Sequence, residues 1–198
     1  MNRVYLRPLK ENDVNTDYLS WFADDDVTAF LEVNGKELTR EIVIDYILTG
    51  RSTGKYFMYA ICLTDNDKHI GNLKVGPIIE KHQVADLPCV IGDKSQWGKG
   101  LATEAIALGS QIAFENHNIR KLTGQIYASN IGSIKAYCKA GWIIEGVNQS
   151  RYLVDGKEMD QVVVSYFNPA YNDASQTHYA VNKTLEWIKM REGFLSKP

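Results

Sequence analysis

The chain has 198 residues, of which 44% are hydrophobic and 23% are charged, and its formal net charge at pH 7 is −2. A chain of this length can bury roughly 70% of its unfolded surface, so one domain is sufficient. The balanced charge gives no electrostatic case for nucleic acid, and the apolar runs are too short to cross a membrane. Because no apolar signal region is seen, we expect a cytoplasmic protein.

The first half of the sequence predicts a strand, two helical segments, a longer helix and two antiparallel strands. The predicted bounds are 4–6, 13–23, 24–31, 39–50, 56–63 and 69–75. Pro8 stops the first strand, Thr39 is a good helix N-cap, and Gly50 suits a helix end. The acidic run 24–26 predicts a helix cap rather than a metal site, because no calcium-loop spacing follows it.

The most informative stretch reads as a strand, a glycine loop and a buried helix. The strand is predicted at 87–92, and the apolar helix face is carried by Leu101, Ala105, Leu108 and Ile112, widened by Ala102, Ile106, Gly109 and Ala113. Gly98 and Gly100 fall where first-turn amides are unpaired, so an anion can approach the backbone there, and Lys99 adds a charge. From spacing alone, close packing explains the glycines equally well.

Two phosphate-binding motifs with similar spacing are excluded. Thr103 stands where the dinucleotide fingerprint needs its third glycine, and the strand predicted at 122–128 offers no acid for a ribose. A P-loop needs Gly-Lys-Ser/Thr, which does not follow this loop. The four histidines are scattered, and Cys62, Cys89 and Cys138 lie in apolar patterns. We therefore predict no metal site and expect reduced cysteines.

The second half predicts a strand, a short helix and a closing hairpin, followed by a polar tail. The bounds are 122–128, 130–141, 142–153 and 158–167, with a further helix at 180–190. In the short helix, Ile131, Ile134 and Cys138 form an apolar stripe, and Gly141 suits a left-handed stop. Asp155-Gly156 is a strong hairpin signal.

The glycine loop resembles the acyl-CoA diphosphate loop of the GNAT acetyltransferase superfamily, whose pattern is Gln/Arg-x-x-Gly-x-Gly/Ala. The matching residues are 97–102, with Trp97 where the superfamily prefers Gln or Arg. The chain also contains a pattern that resembles a second superfamily signature, carried by Asn130, Ser133, Tyr137 and Gly141-Trp142. A Trp at this position is familiar from the branch that includes ribosomal-protein N-terminal (alanine/serine) acetyltransferases and several amino-sugar and polyamine acetyltransferases.

The resemblance extends from Val4 to Phe167 and implies the GNAT fold. That fold is α/β (α+β), with a mixed, mostly antiparallel sheet flanked by helices and with splayed fourth and fifth strands, here 87–92 and 122–128. It implies a domain at 1–168 and a partly helical extension at 169–198. The extension would pack on the domain or on a partner subunit, so a homodimer is one expected assembly.

The resemblance also implies transfer of acetyl from acetyl-CoA to a primary amine by direct attack. The implied catalytic residues are Tyr137, as the acid for the thiolate, and Asp86 or Glu32, as the base. The implied cofactor-binding residues are Val90, Ile91, Gly92, Trp97, Gly98, Lys99, Gly100, Leu101, Ala102, Thr103, Asn130, Ser133 and Tyr137. The backbone at 90–92 is the candidate oxyanion site.

Several alternatives stay open at this point. Asn130 is also a natural helix N-cap, Ser133 can bond first-turn backbone, and Tyr137 by pattern alone is a core residue. The acceptor is an amine on either a peptide, as a protein N-terminus, or a small molecule, as an amino sugar. The alternative function is a catalytically weak or inactive acyl-CoA-binding regulatory or interaction module, which Trp97 and the unassigned base both raise.

Overall fold

The computed structural model describes residues 2–171. The strands are β1 Val4–Pro8, β2 Phe57–Leu63, β3 His69–Val75, β4 Ile78–Ile79, β5 Val84–Asp86, β6 Cys89–Ile91, β7 Lys121–Tyr127, β8 Ile143–Val154 and β9 Lys157–Phe167. The helices are α1 Thr16–Ala23, α2 Asp25–Thr28, α3 Arg40–Thr53, α4 Leu101–Asn116 and α5 Ile131–Lys139. Contacts between backbone atoms divide the chain into two compact units, one ending at Ile119 and one beginning at Arg120. The mixed α/β class predicted from the sequence is confirmed.

The first unit contains an antiparallel sheet with the strand order β1-β2-β3-β6. Its edge strand β6 is only three residues long and pairs with β3, so that Ile91 lies opposite Gly71 and Val90 opposite Asn72. The short strands β4 and β5, which the sequence pattern does not predict, form a hairpin. The glycine loop and α4 follow β6 directly.

Helices pack on both faces of this sheet. The buried cluster beneath α1 and α3 consists of Leu9, Val14, Tyr18, Val43, Ile47, Ala60 and Cys62. On the α4 side, Gly109 admits the side chain of Leu73, because a Cβ at that glycine would lie 2.5 Å from Leu73 Cδ1. Full burial of each large aliphatic side chain contributes about 1.5–3 kcal/mol, so both faces stabilise the sheet that holds β6.

The ends of the first helices follow their capping residues. Asn15 accepts a hydrogen bond from the Tyr18 amide at 3.0 Å, so α1 begins at Thr16 and not at the predicted residue 13. Thr39 caps α3 as predicted. The predicted end at Gly50 is wrong, because the helix continues to Thr53 and stops at Gly54, whose φ is +67°.

The predicted apolar face of α4 is only partly correct. Leu101, Ala105 and Ala113 are buried, but Leu108 and Ile112 are half-buried. Ser110 lies on the buried face instead, where its hydroxyl donates to the Ile106 carbonyl at 2.7 Å. A polar side chain can occupy this position because its hydrogen bond is made within the helix.

The second unit is built on an antiparallel sheet segment with the order β7-β9-β8, together with α5. Tyr137 and Trp142 are buried and their rings meet edge to face at 4.9 Å. Gly141, with φ of +92°, ends α5 as predicted. Ile131 is 48% exposed, so its place in the predicted buried stripe is wrong, since the first helical residue lies at the open end of α5.

Most of the predicted C-terminal extension, including the helix predicted at 180–190, lies outside the described residues. Over residues 2–171, no helix combines the length and apolar character that a membrane span requires.

Candidate functional site

The turn that follows β6 is fixed by backbone hydrogen bonds to β3. The amides of Gly92 and Asp93 both donate to the Ile70 carbonyl, at 2.9 and 3.1 Å. The Asp93 carboxylate caps the next turn by accepting from the Ser95 amide and hydroxyl, and it pairs with Lys68 at 2.7 Å. Partial burial works to raise the pKa of Asp93, but the bonds from Lys68 and Ser95 outweigh it and hold that pKa below its ordinary value. The turn therefore keeps a defined shape.

The outer edge of β6 offers one of the three predicted oxyanion donors. Hydrogen-bonded pairs alternate along an antiparallel ladder. The Lys74 amide donates to the Pro88 carbonyl, and the Gly92 amide donates to the Ile70 carbonyl. Val90 lies midway between Pro88 and Gly92 on β6, so its amide also points toward β3. The Gly92 amide is occupied and the Val90 amide faces inward. The Ile91 amide is the predicted donor that lies on the outer edge.

Trp97 connects the loop back to this strand. Its indole Nε1 donates to the Ile91 carbonyl at 2.7 Å, and the residue as a whole is 44% exposed. Its backbone amide donates to the Lys94 carbonyl at 3.1 Å. A residue that departs from the expected Gln or Arg therefore anchors the loop to β6.

The glycine loop leaves the start of α4 open to an anion. Gly98 and Gly100 have φ of +73° and +79°, which side chains other than glycine rarely adopt. A Cβ on Gly98 would meet no atom within 4 Å, and no side chain caps α4 at Gly100. The first-turn amides of Leu101, Ala102 and Thr103 precede the first intrahelical donor of α4. This cradle fits a phosphate group.

Two cations border the loop. Lys99 donates to the Gln96 side chain at 3.1 Å. Arg3 donates to the Lys99 carbonyl at 2.9 Å and forms an ion pair with Glu104 in the first turns of α4. Partial burial acts to raise the pKa of Glu104, but the bonds from Arg3 keep it below its ordinary value. The sequence does not predict a role for Arg3, because no sequence pattern signals a contact between residues as far apart in the chain as Arg3 and Glu104.

The acidic run predicted as a cap has a second contact. Asp24 accepts from the Asp26 amide at 2.9 Å and so caps α2, as predicted. Lys94, in the turn after β6, pairs with Asp24 at 2.8 Å and with Asp26 at 2.7 Å. The bond from Lys94 is the main cause that lowers the pKa of Asp24. This pairing joins the start of α2 to the turn that follows β6.

The second signature lies on the second unit. Asn130 accepts from the Ser133 amide at 3.1 Å and caps α5, which confirms the predicted capping role. Tyr137 is 4% exposed, and its backbone carbonyl accepts from Ala140 and Trp142. Packing on Trp142 fixes the phenol ring of Tyr137 in place.

The two predicted bases lie in different surroundings within the first unit. Asp86 is the half-buried last residue of β5, and its carbonyl accepts from Gly76 at 2.8 Å. Glu32 is exposed and follows α2. The geometry does not distinguish either residue as the base, so their catalytic roles stay predictions.

The thiols and acids offer no competing chemistry in the described part of the chain. Burial raises the pKa of Cys89 to about 12, and it also raises the pKa values of Cys62 and Cys138, so these three free thiols are poor nucleophiles. Among residues 2–171, no group of three His, Cys, Asp or Glu side chains is placed to hold a metal ion.

The family model described as acetyltransferase (GNAT) domain matches residues 3–143, which include the loop, α4 and Tyr137. The chain belongs to the GNAT acetyltransferase family. The family match makes it an acyltransferase that uses acetyl-CoA, as the resemblance implied. A probable N-acetyltransferase of Bacillus subtilis (strain 168), YjcK, is 25% identical over 175 residues, covering 84% of this chain and 94% of that protein.

Solved GNAT structures share the fold. The ribosomal-protein-S5-alanine acetyltransferase of Vibrio fischeri has a TM-score of 0.74 at 17% identity, with 87% of this chain and 97% of that chain covered. The spermidine N-acetyltransferase of Vibrio cholerae, solved with CoA and spermine, has a TM-score of 0.74 at 16% identity, with 83% and 95% covered. These two relatives act on different acceptors, so fold similarity leaves the acceptor open.

Proposed function

We propose that this GNAT protein transfers acetyl from acetyl-CoA directly to the α-amino group of a peptide. The observation that carries the proposal is the uncapped start of α4 behind Gly98 and Gly100, where the diphosphate of CoA would bind the first-turn amides. Lys99 lies in the same loop and is available to add a charge-assisted contact.

The thioester of acetyl-CoA supplies an activated acyl group. As the amine nitrogen bonds to the carbonyl carbon, negative charge develops on the carbonyl oxygen, and the Ile91 amide on the edge of β6 is our assigned donor to it. A preformed backbone donor needs no rearrangement during the reaction. Ile91 is preformed because β6 is held by β3 and by the Trp97 indole.

When the bond from carbon to sulfur breaks, the departing thiolate needs a proton. We assign this proton to the Tyr137 hydroxyl, because a phenol with a pKa of about 10 can protonate a thiolate whose conjugate thiol has a pKa of about 8.5. The proton lost by the amine leaves through Asp86, Glu32 or water. The amide bond forms as the thioester bond breaks, and the Tyr137 phenolate regains a proton from solvent, so the net products are one amide and one thiol.

A peptide N-terminus fits better than a polyamine as acceptor. An α-amino group titrates near ~8, whereas an alkyl amine such as that of Lys titrates near ~10.4, so the α-amino group reaches its neutral form more easily. A polyamine also requires acidic partners. Two acids at the start of α2, Asp24 and Asp26, are already paired with Lys94 in the turn that follows β6.

Release of CoA thiol tests the proposal. We expect turnover with acetyl-CoA and peptides that begin with Ala or Ser, and loss of turnover when the same peptides carry an N-terminal formyl group. Higher kcat/KM with spermidine or with a nucleotide-linked amino sugar would overturn the peptide assignment. Tight binding of CoA without turnover on any amine would instead establish the binding-module alternative.

A further inference from the structure

Arg3, just before β1, reaches across the sequence to hold both sides of the glycine loop. Its Nη1 donates to the Lys99 carbonyl at 2.9 Å, and its Nε donates to Glu104 Oε1 at 2.7 Å. Its Nη2 pairs with the same carboxylate, and its backbone amide donates to Glu104 Oε2 at 2.8 Å. The guanidinium is therefore fixed beside the start of α4.

This guanidinium retains donors for a ligand. A guanidinium has five N–H groups, and the contacts to Lys99 and Glu104 use three of them. One N–H on each Nη atom has no acceptor among residues 2–171. The Arg3 side chain is 56% exposed, so these groups are accessible from solvent.

The free donors lie next to the anion cradle. A Cβ built on Gly100 would have Arg3 Nη2 as its one described neighbour within 4 Å, at 3.5 Å. An anionic oxygen that approaches the helix start over Gly100 therefore comes close to hydrogen-bond distance of Arg3. The glycine removes the side chain that would otherwise separate the cation from the first-turn amides.

The charge arrangement also points to an anion. A cation at the positive end of a helix is unfavourable. Glu104 neutralises one unit of charge, so Arg3, Lys99 and the start of α4 together keep a net positive charge. The start of α4, Arg3 and Lys99 all lie at the exposed glycine loop. A bound anion would satisfy the first-turn amides and the remaining guanidinium donors together.

We propose that Arg3 binds the diphosphate of CoA and, through the Lys99 carbonyl, positions the glycine loop that receives it. This inference rests on the proposed CoA site and adds a residue from outside both sequence signatures. Lysine would replace arginine only in part, because its ammonium keeps the charge but lacks the planar fork that holds Lys99, Glu104 and an anion together.

The test compares Arg3→Met and Arg3→Lys with Arg40→Met as a matched control. Arg40 also donates to backbone carbonyls in the first unit, those of Val14 and Glu11, but it does not contact the loop. Calorimetry with CoA should show about tenfold weaker binding for Arg3→Met, an intermediate loss for Arg3→Lys and no loss for the control. The salt dependence of binding should also be shallower in Arg3→Met.

Truncated ligands separate binding from a purely structural role. The penalty of Arg3→Met should persist with dephospho-CoA, which keeps the diphosphate. It should vanish in kcat/KM with acetyl-pantetheine, which lacks the diphosphate. An equal penalty with acetyl-pantetheine, no penalty with CoA, or a penalty lost with dephospho-CoA would each overturn the inference. If the wild-type protein itself fails to bind CoA, the proposed function fails instead.

Discussion

The indole of Trp97 donates a hydrogen bond from Nε1 to the carbonyl of Ile91 across 2.7 Å. The same residue pair thus links the loop that would hold the CoA diphosphate to the strand edge that would stabilise the oxyanion. Arg3 ties the other side of the loop through the Lys99 carbonyl. The exposed Gly98 lies between these two anchors and is therefore held from both sides by its neighbours.

Trp97→Phe is expected to raise the KM for acetyl-CoA about fivefold with little change in kcat. Phenylalanine keeps an aromatic ring but removes the N–H, and one such hydrogen bond contributes about 1 kcal/mol. Steady-state kinetics with both substrates varied measure this effect. If Trp97→Ala weakens binding while Trp97→Phe equals wild type, the ring rather than the hydrogen bond anchors the loop.

Gly98→Ala is expected to weaken CoA binding several-fold. Alanine at φ of +73° costs about 1 kcal/mol of backbone strain, which the loop can relieve by moving its amides. Gly156→Ala is the matched control, since it has the same φ of +73° and an equally open Cβ position in the turn between β8 and β9. Calorimetry should find CoA binding unchanged in the control, whereas an equal loss in both variants would contradict a local role for Gly98.

The sequence could predict the order of the elements because local rules determine it. Asn130, Thr39 and Gly141 each act within one turn of a helix, and the structure gives each the predicted end or cap. The predicted helix end at Gly50 is wrong. Its local preference for a helix end is overridden by the Tyr56 ring, which packs where a Cβ would stand.

The loop motif was recognisable because its glycines and spacing are contiguous. The contacts that position it come from distant parts of the chain, such as Arg3 on Glu104 and Lys94 on Asp24, and no periodicity encodes them. The inward direction of the Val90 amide depends on strand register, which short β6 does not reveal in its sequence.

Gly92→Ala is expected to destabilise the fold by about 1–3 kcal/mol and to lower activity. Its Cβ would overlap the Trp21 ring, so the ring or the end of β6 must shift. Gly146→Ala is the control, because a Cβ there meets nothing within 4 Å and should leave stability nearly unchanged. Chemical denaturation compares the two, and equal stability would show that the Trp21 ring moves freely.

Stability should fall as the pH decreases from 7.5 to 5, partly through His69. Burial lowers the pKa of His69, although its hydrogen bonds to Asn72 and Gly71 oppose the shift. The fold therefore favours neutral imidazole. The stability present above the unfolded pKa of about 6.5 is lost as pH falls through the lower folded pKa.

The variant His69→Gln should show a shallower decline of unfolding free energy over that pH range. Burial also lowers the pKa of His117, so the difference between wild type and variant is the informative quantity. His82→Gln replaces an exposed histidine and serves as the control. A wild-type slope in His69→Gln would show that His69 does not cause the decline.

Tyr137→Phe is expected to lower kcat by roughly 10²-fold, because removal of the phenolic proton leaves the thiolate without its acid. The ring that packs on Trp142 is retained, so α5 and the binding of CoA should be preserved. Tyr166→Phe changes another ring that packs on Trp142, and it serves as the matched control with expected wild-type kcat. Turnover at saturating substrates and calorimetry with CoA are measured together. Full turnover in Tyr137→Phe would remove Tyr137 from the chemistry and leave water as the proton source, whereas loss of CoA binding would assign it a structural role.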